Sequence, residues 1–223
     1  MIHLYGLVQQ LEDLPDVPGV GGAPLERRRI EGFELVVSQS KKELQEVSEK
    51  AVLTHANVVE ELMGRSRAVL PARFGRAFTG EKELSDAVRT KAAGLESGLT
   101  RVRGCVEFGL RVLAREARRE NSQPLSGREY MRARLAEATE RDRLSEELHE
   151  PLTRLSRTST RFGGAGAELL QAAYLVPEEN AVAFREYLRG LETAYPRLAL
   201  ICTGPWPPYT FADEGKDPRE RSA

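Results

Sequence analysis

The chain has 223 residues, 40% hydrophobic and 30% charged, enough to bury one large core or two small ones. Its 33 Lys and Arg face 34 Asp and Glu, and a net charge of −1 supplies no global field for nucleic acid or an anionic membrane. The two cysteines, Cys105 and Cys202, make no disulfide framework, and no apolar run reaches the ~20 residues that a bilayer crossing needs.

The N-terminus carries no basic segment followed by an apolar run and a cleavage site, so a cytoplasmic protein with reduced thiols is expected. Ile2 to Val8 reads as a buried strand in which Gly6 allows close backbone approach. Pro15 to Pro24 is rich in Pro and Gly and marks a loop, and Phe33–Ser38 is the next strand. Ser40-Lys-Lys-Glu43 has the form of a capping box. Leu44, Val47, Ala51, Val58 and Leu62 follow at helical spacing, so a helix is expected to about Met63, with room for a bend near Thr54.

Ala68–Phe74 reads as a strand interrupted by Pro71, and Pro in a strand prefers an edge or a bulge. Gly75 to Gly80 turn the chain into a second helix, roughly Lys82 to Leu99. Val102, Gly104, Val106, Phe108, Leu110 and Val112 then alternate with Arg101, Arg103, Cys105, Glu107, Gly109 and Arg111. That period of two predicts a long half-buried strand with three arginines on one face.

Residues 116–125 are charged, contain Pro124 and read as a linker. Ser126-Gly-Arg-Glu129 is a second capping box, opening a long helix with an apolar stripe of Met131, Leu135, Ala138, Leu144, Leu148, Leu152 and Leu155. Thr158–Phe162 and Glu168–Val176 read as a hairpin around Gly163–Gly166. Pro177 stands where Pro favours a helix start, and Val182, Phe184, Tyr187, Leu188 and Leu191 form that helix's apolar face. Tyr195-Pro196 ends it, and Leu198–Cys202 is a last strand.

This order predicts an α+β protein of two ferredoxin-like α/β sandwich domains, with a long helix in the second half and an aromatic, Pro-rich C-terminal tail. The first domain is placed at residues 1–115, the linker at 116–125 and the second domain with its tail at 126–211, borrowing strand 102–113. Residues 212–223 are expected to be a disordered polar extension.

Chemistry-bearing constellations are weak. His3, His55 and His149 have no second His or Cys at metal-ligand spacing, and no nucleophile elbow is present. Gly163-Gly-Ala-Gly166 lacks the Lys of a phosphate loop and fits a hairpin turn better. No catalytic residue, metal or cofactor is expected.

The tail, Thr203-Gly-Pro-Trp-Pro-Pro-Tyr-Thr-Phe211, holds the only Trp and two more aromatics on a stiff, Pro-fixed backbone close to a polyproline helix. Two readings stand: Trp206, Tyr209 and Phe211 cover the protein's own sheet, or they are presented to a partner. This ending resembles the Thr-Gly-Pro-Trp-Pro-Pro-Tyr-Ser/Thr-Phe ending of the GvpF/GvpL gas vesicle family. His3-Leu-Tyr-Gly-Leu7, Val69-Leu-Pro-Ala-Arg-Phe-Gly75, Val106-Glu-Phe-Gly-Leu110, Ser126-Gly-Arg-Glu-Tyr130 and Ala173-Tyr-Leu-Val176 resemble five further blocks of that family, in order.

The resemblance implies a non-enzymatic gas vesicle assembly factor or minor vesicle component, associated with the vesicle. It would bind the hydrophobic shell protein GvpA and other accessory Gvp proteins, limit GvpA aggregation and help nucleation. An apolar shell subunit made in water needs its surface or strand edge covered. Pro71, Arg73, Phe74, Trp206, Tyr209 and Phe211 are the candidate partner-binding residues. The second reading is a small-molecule-binding regulatory protein of ferredoxin-like fold.

Overall fold

The computed structural model describes residues 1–39, 48–115, 126–163 and 168–212, and places the opening apolar run in a strand, β1 (Ile2–Gln9). The chain divides into two units: Met1–Glu107 together with the segment that begins at Trp206, and Phe108–Pro205. The tail from Trp206 onward thus groups with the first unit.

In the first unit β1 is followed by β2 (Leu25–Ile30), β3 (Phe33–Gln39), α1 (Glu49–Arg65), β4 (Ala68–Pro71), β5 (Ala77–Phe78), α2 (Glu81–Thr90) and α3 (Ala92–Val102). The sheet order is β2-β3-β1-β4, all antiparallel, with β5 pairing the first residues of β1. That is the strand order of a ferredoxin-like sheet. One crossover departs from the pattern. Residues 10–24, which join β1 to β2, form a loop with a single 3₁₀ turn at Val20–Gly22 where the fold usually has a helix.

Helices cover both faces of this sheet around β1, which explains why its apolar run is nearly unbroken. Val69 packs with Val58, Val59 and Leu62 of α1. The adjacent Leu70 faces the other way, and a Cβ on Gly98 of α3 would stand 3.1 Å from its methyl carbon. Gly6 meets the expectation of close approach: a Cβ there would lie 2.7 Å from the Leu70 carbonyl oxygen.

Ser48 caps α1 by accepting from Ala51 N at 3.2 Å, and the helix runs unbroken through Thr54. The Ser40–Glu43 capping box lies outside the described residues. Where one helix is expected over Lys82–Leu99, two form, α2 and α3, meeting at Lys91. The long strand also begins later than its alternation suggests. Val102 belongs to α3, because Leu95, Leu99 and Val102 share a helical spacing that overlaps the period of two. Arg101 is therefore helical and does not share a strand face with Arg111. Strand β2 has no counterpart in the sequence reading, since Leu-Glu-Arg-Arg-Arg-Ile looks like a charged loop.

The second unit's sheet contains β6 (Cys105–Ala114), β7 (Thr158–Arg161), β8 (Glu168–Pro177) and β9 (Leu198–Trp206) in the order β7-β8-β6-β9. With α4 (Gly127–Arg154) after β6 and α5 (Ala181–Ala194) after β8, this is the full ferredoxin-like alternation. Both helices contact β8 and each other, so they share one face. Phe108 stacks on Phe184 at 4.9 Å, and Tyr174 meets Phe184 at 5.3 Å.

The Ser126–Glu129 capping box forms as expected. Only the later part of its stripe is buried. Leu148 and Leu152 are core, whereas Met131 and Leu135 are exposed. A 28-residue helix is about 42 Å long, and the ten-residue β8 is about 33 Å, so α4 overruns the sheet. Val182 and Tyr187 of α5 are likewise exposed, while Phe184, Leu188 and Leu191 are core. The hairpin pairs Thr158 with Leu175 through Arg161 with Ala172. Residues 164–167 of its turn, and the linker 116–125, lie outside the described residues. Among the described residues no helix is long and apolar enough to cross a membrane.

A candidate interaction groove in the first unit

β1 pairs with β4 through Gly6–Gln9 and with β5 through Ile2–His3, and the chain between the two partners leaves the sheet. Its two ends are tied down: Ala72 N donates to Tyr5 O at 2.8 Å, and Leu4 N donates to Arg76 O at 2.9 Å. Arg76 N donates to Arg73 O at 3.1 Å, and Gly75, with φ of +85°, makes the turn. Pro71 still pairs with Gly6, and past Ala72 the turn at Gly75 carries Arg73 and Phe74 away from the sheet.

Across from this loop, Thr79 fixes the start of α2 by donating its N–H and its hydroxyl to Glu83 at 2.7 and 2.6 Å. These bonds hold the Glu83 carboxyl below its ordinary range. The α2–α3 break puts Lys91 at the rim. Between loop and helices lies a groove of about 470 Å³. Leu4, Leu70, Phe78, Leu84 and Val88 line it with apolar surface. Arg73, Arg76 and Lys91 line it with positive charge, and Tyr209 and Ala212 add a wall from the tail.

Beneath the loop sits a histidine pair that 52 residues of sequence separate. His3 Nε2 lies 2.9 Å from His55 Nδ1, and His55 Nε2 lies 2.9 Å from Ala72 O. A carbonyl only accepts, so His55 carries its proton on Nε2, and His3 must then donate from Nε2. His3 Nδ1 is left as a buried acceptor without a partner among the described residues. Phe74 closes over both rings at 5.8 Å, and Tyr5 stacks on His55 at 5.2 Å. Burial, and then the neighbouring His55, push His3 down to about 4. Burial also lowers His55, partly offset by its bond to Ala72.

The tail folds differently from a straight polyproline strip. Trp206 closes β9, and the chain then turns, with Tyr209 N donating to Pro207 O at 2.8 Å and Phe211 N to Pro208 O at 3.2 Å. Tyr209 packs against the core on the α1 side, and burial pushes its hydroxyl up to about 12. Thr210 N and Oγ1 donate to the Glu107 carboxylate at 2.8 and 2.6 Å. Phe211 is 5% exposed and Trp206 is 45% exposed.

The six candidate residues therefore part company. Pro71, Arg73, Phe74 and Tyr209 meet in the groove; Trp206 is exposed elsewhere on the surface and Phe211 is buried. The sequence singled out the loop and the tail, but the His3–His55 pair and the Lys91 break carry no local signal. Elsewhere, His149 Nδ1 lies 2.7 Å from the Tyr174 hydroxyl, and Cys105 is buried while Cys202 is exposed. Among the described residues no three His, Cys, Asp or Glu side chains gather to hold a metal.

The fold and groove define an α+β protein of two ferredoxin-like sheets, the first carrying an apolar groove with a cationic rim. The chain belongs to the gas vesicle synthesis protein GvpL/GvpF family, whose profile matches residues 1–213. It is 30% identical to gas vesicle protein F1 of Halobacterium salinarum over 217 residues, covering 95% of this chain and 92% of that relative. It is 34% identical to gas vesicle protein L of a Streptomyces species over 137 residues, about half of each chain (51% and 51%).

Crystal structures of gas vesicle protein GvpF share the fold. The protein from Anabaena sp. PCC7120 superposes with a TM-score of 0.76 at 20% identity, over 96% of this chain and 99% of that one. The one from Microcystis aeruginosa gives 0.77 at 21% identity, over 95% and 98%.

Proposed function

We propose that this chain is an accessory protein of gas vesicle assembly, or a minor vesicle component, acting by binding and without catalysing a reaction. Its partners are the hydrophobic shell protein GvpA and other accessory Gvp proteins. It covers apolar GvpA surface, limits its aggregation and helps to nucleate the vesicle, and it is associated with the vesicle in the cytoplasm. The observation that carries this reading is the groove, in a chain whose family profile spans nearly its whole length. An apolar floor open at the surface is what a sheet protein offers to an apolar partner.

Pro71, Arg73, Phe74 and Tyr209 contact the partner through the groove in this proposal, and Trp206 adds an exposed aromatic. Phe211 contributes from beneath, by anchoring the segment that holds Tyr209. Co-expression of GvpA with the wild-type chain and with Phe74→Ala and Trp206→Ala variants tests the reading. Wild type should raise the soluble fraction of GvpA and be recovered with it, and the variants should do so less. Recovery of no GvpA by the folded wild-type chain would sink it.

A further inference from the structure

Charge separates the groove from another cavity of comparable size in its unit. The larger one, about 670 Å³, is lined by Glu31, Glu34 and Glu96 as well as Arg67 and Arg103, and its signs offset one another. Among the described residues that line the groove are Arg73, Arg76 and Lys91 and no carboxylate, with the Glu83 carboxyl acting on Arg76 from α2.

Each of these cations has a structural reason to stand at the rim. Arg73 is carried there by the loop that Pro71 and Gly75 shape. Arg76 lies over the Phe78 ring at 5.5 Å, an arrangement that keeps a guanidinium beside an apolar floor. Lys91 marks the junction of α2 and α3. The floor, from Leu4 and Leu70 to Leu84 and Val88, accepts apolar side chains.

We infer that this groove receives an apolar polypeptide segment of a partner that carries carboxylates on its flanks. Apolar residues fill the floor while the flanking carboxylates meet Arg76 and Lys91, and like-charged flanks are repelled. The inference rests on the reading of the chain as a partner-binding protein and deepens it by naming the partner chemistry. Because the rim is exposed, the attraction is screened by salt. The Debye length falls from about 10 Å at 0.1 M to about 3 Å at 1 M.

The test uses the full chain and two fluorescent peptides with the same apolar core, one flanked by glutamates and the other by lysines. The glutamate peptide should bind more tightly and should weaken as salt rises. The double variant Arg76→Glu, Lys91→Glu should lose roughly tenfold in affinity for it and gain affinity for the lysine peptide. Arg76→Lys, Lys91→Arg should keep the wild-type preference. An unchanged thermal unfolding midpoint shows that the reversed chain is folded.

Equal binding of the two peptides, or a folded reversal variant with the wild-type preference, would overturn the inference. So would glutamate-peptide binding that appears only after removal of residues 213–223, since the chain's own polar extension, which contains Asp213 and Glu214, would then fill the groove. A GvpA pull-down beside these measurements separates the two ideas. GvpA retained by the reversal variant sinks the groove but leaves the functional reading. A groove that selects the glutamate peptide in a chain that never captures GvpA does the reverse.

Discussion

Thr210 donates both its amide and its hydroxyl to one carboxylate, that of Glu107, at 2.8 and 2.6 Å. The two residues are 103 positions apart, so the bond closes a long loop and ties the tail to the start of β6. Hydrogen bonds to a charged group are worth about 1.5–3 kcal/mol. Glu107→Ala should lower stability by about that amount in urea unfolding. It should also shift the emission of Trp206, the only Trp in the chain, through release of the neighbouring segment. An unaltered Trp206 spectrum with unaltered stability would show that the clamp holds nothing.

The aromatic residues of the tail should behave as two kinds. Phe211 is 5% exposed, and Phe211→Ala leaves a cavity that costs about 3–5 kcal/mol. Trp206 is 45% exposed, and Trp206→Ala should stay within about 0.5 kcal/mol of wild type. Denaturant midpoints followed by circular dichroism give both values. Only the Trp206 variant is thus a clean probe of partner contact, since loss of binding by the Phe211 variant would report damage to the fold.

Acid should weaken the first unit through its histidines. His3 is held near 4 when folded and returns to about 6.5 when unfolded, so between these values the unfolded chain binds more protons. The contribution is present in full above pH 6.5 and fades as the pH falls towards 4, where it is worth roughly 3 kcal/mol less. His55, lowered in the same direction, adds to the slope. Urea unfolding across this range, wild type against His3→Gln, isolates the term. The variant should show the shallower dependence, and identical slopes would contradict it.

Gly6 faces the Leu70 carbonyl so closely that no side chain fits. Gly6→Ala would push a carbon to 2.7 Å from that oxygen, and main-chain atoms of a paired strand cannot step aside cheaply. A loss of about 1–3 kcal/mol in thermal or urea unfolding is expected, with slower-exchanging amides of β4 becoming faster.

Where the local pattern and the tertiary demand coincided, the fold was legible. β1 is apolar along most of its length because helices cover both its faces, and Ser126 and Glu129 announce α4 because a capping box is made within four residues. Where two patterns overlapped, it was not. Val102 satisfies the helical spacing of Leu95 and Leu99 as well as the alternation of Val106 and Phe108, and packing decides for the helix. β2 escaped notice because it is an edge strand rich in charge, two of whose arginines are paired, Arg27 with Glu34 at 3.2 Å and Arg28 with Glu81 at 3.1 Å. Such a strand needs no apolar face in its sequence.

The candidate site divides along the same line. Pro71, Gly75 and the aromatic tail carry local chemistry and could be singled out from residues alone. The facing helices, the Lys91 break and the bond between His3 and His55 exist only once distant segments meet. An alternating or helical period has no term for such meetings.

The clamp between Glu107 and Thr210 also orders events in time. Translation delivers Thr210 103 residues after Glu107, which at about 5–20 residues per second is a delay of roughly 5–20 s. For that interval the nascent chain has the floor of the groove and its cationic rim but lacks Tyr209 on its wall. The second sheet is synthesised in the meantime, so the half of the protein that begins first is completed last. A groove with Tyr209 on its wall exists only once the ribosome has reached the aromatic tail.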